Sequence, residues 1–228
     1  MTPRRTAQDI IHKKIGEKMF RDRKDAGRKL ASALRKYKER DDVMVLAIPR
    51  GGVEIGVEVA KYLNSEFSLL ICRKLPYLDN PESGFGAICE DGTFFINPYA
   101  PYLPDREEME RIIERQKREI KRRIEVLRGG EALPSLKNKI VILTDDGIAM
   151  GSTMFAAVEA VKKRNPKKVV VAVPVASERI KELFSKIADE VIVLESPLNF
   201  YAVAQVYENW YDVGDEEVLY LLKKHFGK

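Results

Sequence analysis

Two adjacent carboxylates, Asp145 and Asp146, stand between a short apolar run and a loop of small residues, Gly147, Ile148, Ala149, Met150, Gly151, Ser152 and Thr153. The run at 140–143 is continuously apolar and β-branched, which predicts a strand buried on both faces, as in a parallel sheet. From Met154 onward Phe155, Ala157, Val158 and Val161 recur at helical spacing, so residues 147–153 form a strand-to-helix turn. Such a turn offers free amides and a positive dipole end to an anion, Ser152 and Thr153 add hydroxyls, and Gly151 lets the backbone approach a phosphate. The two acids cannot serve that same phosphate. They suit the hydroxyls of a sugar or a divalent cation such as Mg²⁺, which takes oxygen ligands.

A second anion cradle is expected where a strand at 43–48 ends in Pro49, Arg50, Gly51 and Gly52 before a helix with Val53, Gly56, Val57, Ala60 and Leu63 inward. Glycine permits unusual dihedrals and arginine supplies a forked donor, although a lone Arg-Gly-Gly also reads as an ordinary turn. A third strand is expected at 67–72, with Arg73 and Lys74 at its carboxyl end.

These residues carry a resemblance. Residues 141–153, with the apolar strand, the Asp pair, Gly151 and Thr153, are similar to the phosphoribosyl pyrophosphate (PRPP) signature of type I phosphoribosyltransferases, and the segment at 80–92 resembles a little-characterised group of predicted members. The chain departs from the signature at Ala149, where many members have an acid, and at Met150, where many have Thr. The resemblance implies an α/β, Rossmann-like fold with a mostly parallel sheet flanked by helices, a β-hairpin loop and a small hood. It also implies transfer of 5-phosphoribosyl from PRPP to a nitrogenous base, with Mg²⁺ as cofactor and release of pyrophosphate. Asp145 and Asp146 would then be catalytic and hold ribose hydroxyls or the metal, directly or through water. The loop 147–153 would grip the 5-phosphate. Arg50, Gly51, Gly52, Arg73 and Lys74 would meet the pyrophosphate, and Asn80, Pro81 and Glu82 would belong to a mobile loop over the reaction. A homodimer is the expected assembly. The alternative is a non-catalytic regulator of the same fold that senses PRPP or a nucleotide.

The supporting elements follow from periodicity. Residues 22–38 place Ala26, Leu30, Ala33, Leu34 and Tyr37 on one helical face, residues 85–89 and 93–96 form a hairpin about an Asp-Gly turn, and residues 105–128 form a charged helix stopped by Gly129-Gly130. The acids of that helix alternate with its bases, which reads as a solvated element and not as a nucleic-acid clamp. Further strands at 168–173 and 190–194, with a helix capped by Ser177 between them, complete an alternating pattern that specifies parallel strands. The aromatic-rich tail places Phe200, Tyr207, Trp210 and Tyr211 either as a stacking shelf for a base or as core packing.

Composition bounds the rest. Among 228 residues, 40 Lys and Arg against 35 Asp and Glu give a net charge of +5 with the signs interspersed, which suits a phosphorylated small molecule better than nucleic acid. One domain over 1–228 is expected, with a core at about 20–195 and a hood from an N-terminal arm and 196–215. Residues 1–15 lack the apolar stretch of a signal peptide, so a cytoplasmic protein without membrane contact is expected. Cys72 and Cys89 fit no metal spacing and are expected to be reduced packing residues. His12, among lysines, is expected to be a surface residue.

Overall fold

The computed structural model describes residues 18–81 and 83–227. Most of the N-terminal arm, with His12, and Glu82 of the loop lie outside the described residues.

Five strands form a parallel sheet in the order β2-β1-β6-β7-β8: β1 (Val43–Ala47), β2 (Glu66–Leu69), β6 (Ile140–Thr144), β7 (Lys168–Val175) and β8 (Glu190–Glu195). The central strands β1 and β6 are buried at every position, as their unbroken apolar runs require. Their side chains alternate between two cores. Val43, Val45, Ile140 and Ile142 face one core with helices α1 (Arg23–Ala33) and α2 (Gly52–Leu63). Met44, Leu46, Val141 and Leu143 face the other with α4 (Ser152–Lys162) and α5 (Glu178–Phe184). Helix α6 (Asp215–Phe226) packs on the α2 side, where Phe226 stacks on Phe67 at 4.6 Å.

A second, antiparallel sheet of β3 (Cys72–Pro76), β4 (Gly84–Cys89) and β5 (Phe94–Ile96) contains the expected hairpin. The long helix α3 (Arg106–Arg128) packs against it, and Gly129 ends that helix in the left-handed region at φ 61°. The structure corrects the sequence reading here. The third parallel strand stops at Leu69, and Arg73 and Lys74 lie inside β3 rather than at a parallel strand's carboxyl end.

A second correction concerns the cysteines. Antiparallel pairing sets Cys72 directly opposite Cys89 with their Cα atoms 3.9 Å apart, and the two form a disulfide. Tests for metal-ligand spacing do not see such a pair, because its proximity comes from strand register. Among the described residues no helix is long and apolar enough to cross a membrane.

Candidate active site

The Asp pair follows β6 at its carboxyl end, and α4 begins six residues later, as the alternation of strand and helix requires. Gly151, at φ 86°, occupies the N-cap position in the left-handed region open to glycine. The helix's first bond runs from the Phe155 amide to the Gly151 carbonyl, so the amides just before it precede any helical acceptor. This start forms one wall of a cavity of about 500 Å³. Asp145 lines it, as do Gly147 to Thr153 of the loop, and Lys74, Asn80, Ser83 and Gly84 arrive from β3, its connection to β4 and the start of β4. The structure thus brings the residues of the 147–153 loop to one cavity. Ile148 is buried at 4% exposure and donates its amide to the Val175 carbonyl, so it anchors the loop to β7. Met150 is 59% exposed at the rim.

The two acids differ sharply in environment. Asp145 accepts the Asp146 amide through Oδ1 at 2.8 Å and borders the cavity. Asp146 Oδ2 accepts from Arg23 Nε at 2.8 Å, and Arg23, 3% exposed, donates from Nη1 to the Tyr211 carbonyl at 2.9 Å. The Arg23 guanidinium lies 3.9 Å from the Trp210 ring centroid, and Nη1 lies 3.5 Å from Glu54. Burial pushes the carboxyls of both acids up, Asp145 well above the ordinary range because the charge of Asp146 adds to it. For Asp146 the Arg23 guanidinium opposes burial without overcoming it. Glu54 is likewise pushed up by burial.

Arg23 escaped the sequence reading, yet a signal existed. With Ala26 and Leu30 it makes an i, i+3, i+7 set, which places a charge on the inward face of α1. Such a buried charge needs a partner.

The second cradle changes meaning. A Cβ on Gly51 would collide with Asp146 Oδ2, and one on Gly52 would sit 2.9 Å from the Asp145 backbone, so these glycines admit the acid pair. Arg50 points to Asp215 at 3.5 Å. Arg73 and Lys74 are not brought together, because neighbours on a strand face opposite ways. Lys74 lines the cavity, whereas Arg73 Nε donates to Gln116 of α3 at 3.2 Å.

The aromatic tail resolves mostly toward packing. Tyr207 is fully buried and donates its hydroxyl to the Asp146 carbonyl at 2.7 Å, Trp210 and Tyr211 flank Arg23, and Phe200 packs on the core. None of the four lines the cavity; Tyr201, 80% exposed, does so together with Val203. Of the expected loop residues, Asn80 reaches the cavity and Pro81 does not.

The cleft at the strand ends, a cradle at a helix start and an acid pair agree with a family-level comparison. A model of the phosphoribosyl transferase domain matches residues 18–209. The chain belongs to the phosphoribosyl transferase family. Two Mycobacterium tuberculosis proteins, from strains CDC 1551 and H37Rv and provisionally named phosphoribosyl transferases, are each 40% identical over 210 residues. Those alignments cover 91% of this chain and 47% of each relative, so the chain spans about half the length of the curated relatives it matches. A crystal structure of a Thermus thermophilus protein is 38% identical with a TM-score of 0.73, covering 90% of this chain and 98% of that one. An Aquifex aeolicus structure shares the fold at 16% identity and a TM-score of 0.50, covering 89% of this chain and 96% of that one. This phosphoribosyl transferase chain thus keeps its cavity at the carboxyl ends of its parallel strands, with Arg23 tied into the acid pair.

Proposed function

We propose that this chain transfers a 5-phosphoribosyl group from PRPP to a nitrogen of a base and releases pyrophosphate, with Mg²⁺ taking part. The observation that carries this reading is the cavity in which a helix start, Lys74 and Asp145 converge. The amides around Gly151, with the Ser152 and Thr153 hydroxyls, would hold the 5-phosphate. Asp145 would meet the ribose hydroxyls, and its carboxylate would favour positive charge developing on the ring. Lys74 would meet phosphate oxygens, and Tyr201 at the mouth offers a face for a planar base.

Among the described residues no cluster of three or more His, Cys, Asp or Glu side chains could hold a metal unaided. The residues nonetheless fit a divalent cation that arrives with a substrate phosphate, since Mg²⁺ is commonly bound through one or two carboxylates plus phosphate oxygens and water. Asp145 would supply that carboxylate, because Asp146 is engaged by Arg23. The cation would neutralise the departing pyrophosphate.

The engagement of Asp146 by Arg23 also favours a second reading, a protein that binds PRPP or a nucleotide without turning it over. One assay separates the two: PRPP with Mg²⁺ and each member of a nucleobase panel, with pyrophosphate release followed. Release that depends on a base supports the transferase. PRPP binding with no release from any base supports the sensor, and no PRPP binding at all rejects both.

A further inference from the structure

Strand β3 sends one cation to each side of the small sheet. Cys72 of β3 packs with Met154 and Val158 of α4, and Leu75 packs with Ile112 and Ile120 of α3, so the alternating residues Lys74 and Arg73 serve opposite sides of one strand. The side of Arg73 has its own cavity of about 290 Å³, lined by Arg73, Arg115, Gln116, Arg118, Glu119 and Arg122. Four arginines and one carboxylate, Glu119, thus line this cavity, while Arg115 and Arg118 also border a groove with Glu107, Glu110 and Glu114. That carboxylate is occupied: Glu119 accepts from Arg122 Nε at 2.8 Å and Nη2 at 2.9 Å, and from Arg123 Nε at 2.8 Å. Arg122 also donates to Asp215 at 2.7 Å, the acid that Arg50 approaches at 3.5 Å. Among the described residues no carboxylate forms an ion pair with Arg73, Arg115 or Arg118.

The floor of this cavity is built. Gln116 is 3% exposed and its Oε1 orients Arg73, while Arg123, 4% exposed, is fixed by Glu119 and by the Pro49 carbonyl at 3.3 Å. Burial first, and then the neighbouring Arg123, draw the Arg73 guanidinium down to about 10, with Glu119 opposing and Arg50 and Arg122 adding to the fall. Arginine forks match phosphate oxygens in pairs, and the space admits one or two phosphate groups.

We propose that this face of α3 is a second anion site, separate from the PRPP cavity, that binds a small phosphate-bearing anion. The ligand is either free pyrophosphate or the terminal phosphates of a nucleotide whose base stays outside. Because Arg73 adjoins Lys74 in β3, and Arg122 shares Asp215 with Arg50, an anion here sits one strand away from the proposed substrate. This second site rests on the proposed function only for which cavity takes PRPP.

The test is calorimetry on the whole chain at low salt, titrating inorganic pyrophosphate in one arm and ATP in another without metal, with PRPP plus Mg²⁺ as the reference ligand. Arg115 and Arg118 are exposed and among the described residues form no ion pair, so Arg115→Gln with Arg118→Gln leaves the fold intact, which circular dichroism verifies. That variant is expected to weaken pyrophosphate or ATP, whichever the wild type binds, by about tenfold or more, on the scale of one lost bond to a charged group. PRPP affinity is expected to stay within about twofold, since the arginines do not line its cavity. Lys74→Gln is expected to do the reverse. Arginine-dependent binding of pyrophosphate or ATP in a protein that fails to bind PRPP would sink the proposed function and leave the second site standing. Unchanged pyrophosphate and ATP affinity in the double variant overturns the second site, as does wild-type protein that binds neither. An equal loss of PRPP and pyrophosphate also overturns it, by placing these arginines in the substrate's own subsite.

Discussion

Asp145 and Asp146 are identical side chains with different tasks, and the difference is measurable. Asp145 is raised well above its ordinary value of 3.8, so its ionisation costs the folded state stability. The folded state then binds the extra proton, and stability falls as pH rises from about 3.8 through the folded value. Asp145→Asn keeps the Oδ1 acceptor and removes the charge. It is expected to raise the melting temperature at pH 7, with the gain gone once pH drops below 4, and equal melting at both pH values would contradict the assigned burial. Arg23 is the opposite case, because its removal strands Asp146 and Glu54 together. Arg23→Met is expected to cost about 3 kcal/mol, the lower end of the range for breaking a buried pair, read from urea unfolding. A loss under about 1 kcal/mol would show that water already screens the pair. Met150 projects from the rim where a hydroxyl could meet the 5-phosphate. Met150→Thr is expected to tighten PRPP roughly tenfold, the worth of one charge-assisted bond, and calorimetry with Mg²⁺ checks it.

At the scale of elements, the β3–β4 hairpin forms part of the cavity wall and the disulfide closes it. The loop between Cys72 and Cys89, 17 residues apart, contains Lys74, Asn80, Ser83 and Gly84 of that wall. Cross-linking a loop of that length restricts the unfolded chain and stabilises by about 3 kcal/mol in the loop-entropy account. Cys72→Ser with Cys89→Ser should therefore lower the urea midpoint, and reductant should do the same to the wild-type protein but nothing further to the variant. A wild-type midpoint indifferent to reductant would mean that the pair contributes no cross-link in solution. Helix α3 carries a different lesson. Its alternating charges read as a solvated surface, and most are, but Gln116 and Arg123 turn inward onto β3 and the β1–α2 turn. Periodicity of charge does not reveal which turn of a helix meets a polar neighbour.

Across the whole molecule, the reading as a PRPP-binding protein has a consequence that needs no acceptor. A ligand that binds only the folded state at about 100 times its dissociation constant adds about 2.7 kcal/mol of stability. PRPP with Mg²⁺ should raise the melting temperature accordingly. Ribose 5-phosphate should do so by less, since it reaches the helix start without the contacts made by pyrophosphate. Equal shifts from both would leave Lys74 without a role in binding. The net charge of +5 makes anion binding at either cavity weaken as salt rises, so such comparisons belong at one ionic strength.

What the sequence determined by itself was whatever depends on local pattern. Continuous apolar runs at 140–143 and 43–48 specified buried parallel strands, the Asp-Gly turn specified the hairpin, and small residues between strand and helix specified the turn around Gly151. Those signals have periods of a few residues and are written in neighbouring positions. The tertiary structure alone decided which distant groups meet. Arg23 reaches Asp146 across 123 positions, Cys72 meets Cys89 through strand register, Tyr207 goes to the core while Tyr201 goes to the cavity mouth, and Arg73 parts from Lys74. The parting of Arg73 and Lys74 turns on where β3 begins. As a tail on a parallel strand the two side chains could converge on one anion, but inside an antiparallel strand the pleat sends them to opposite faces.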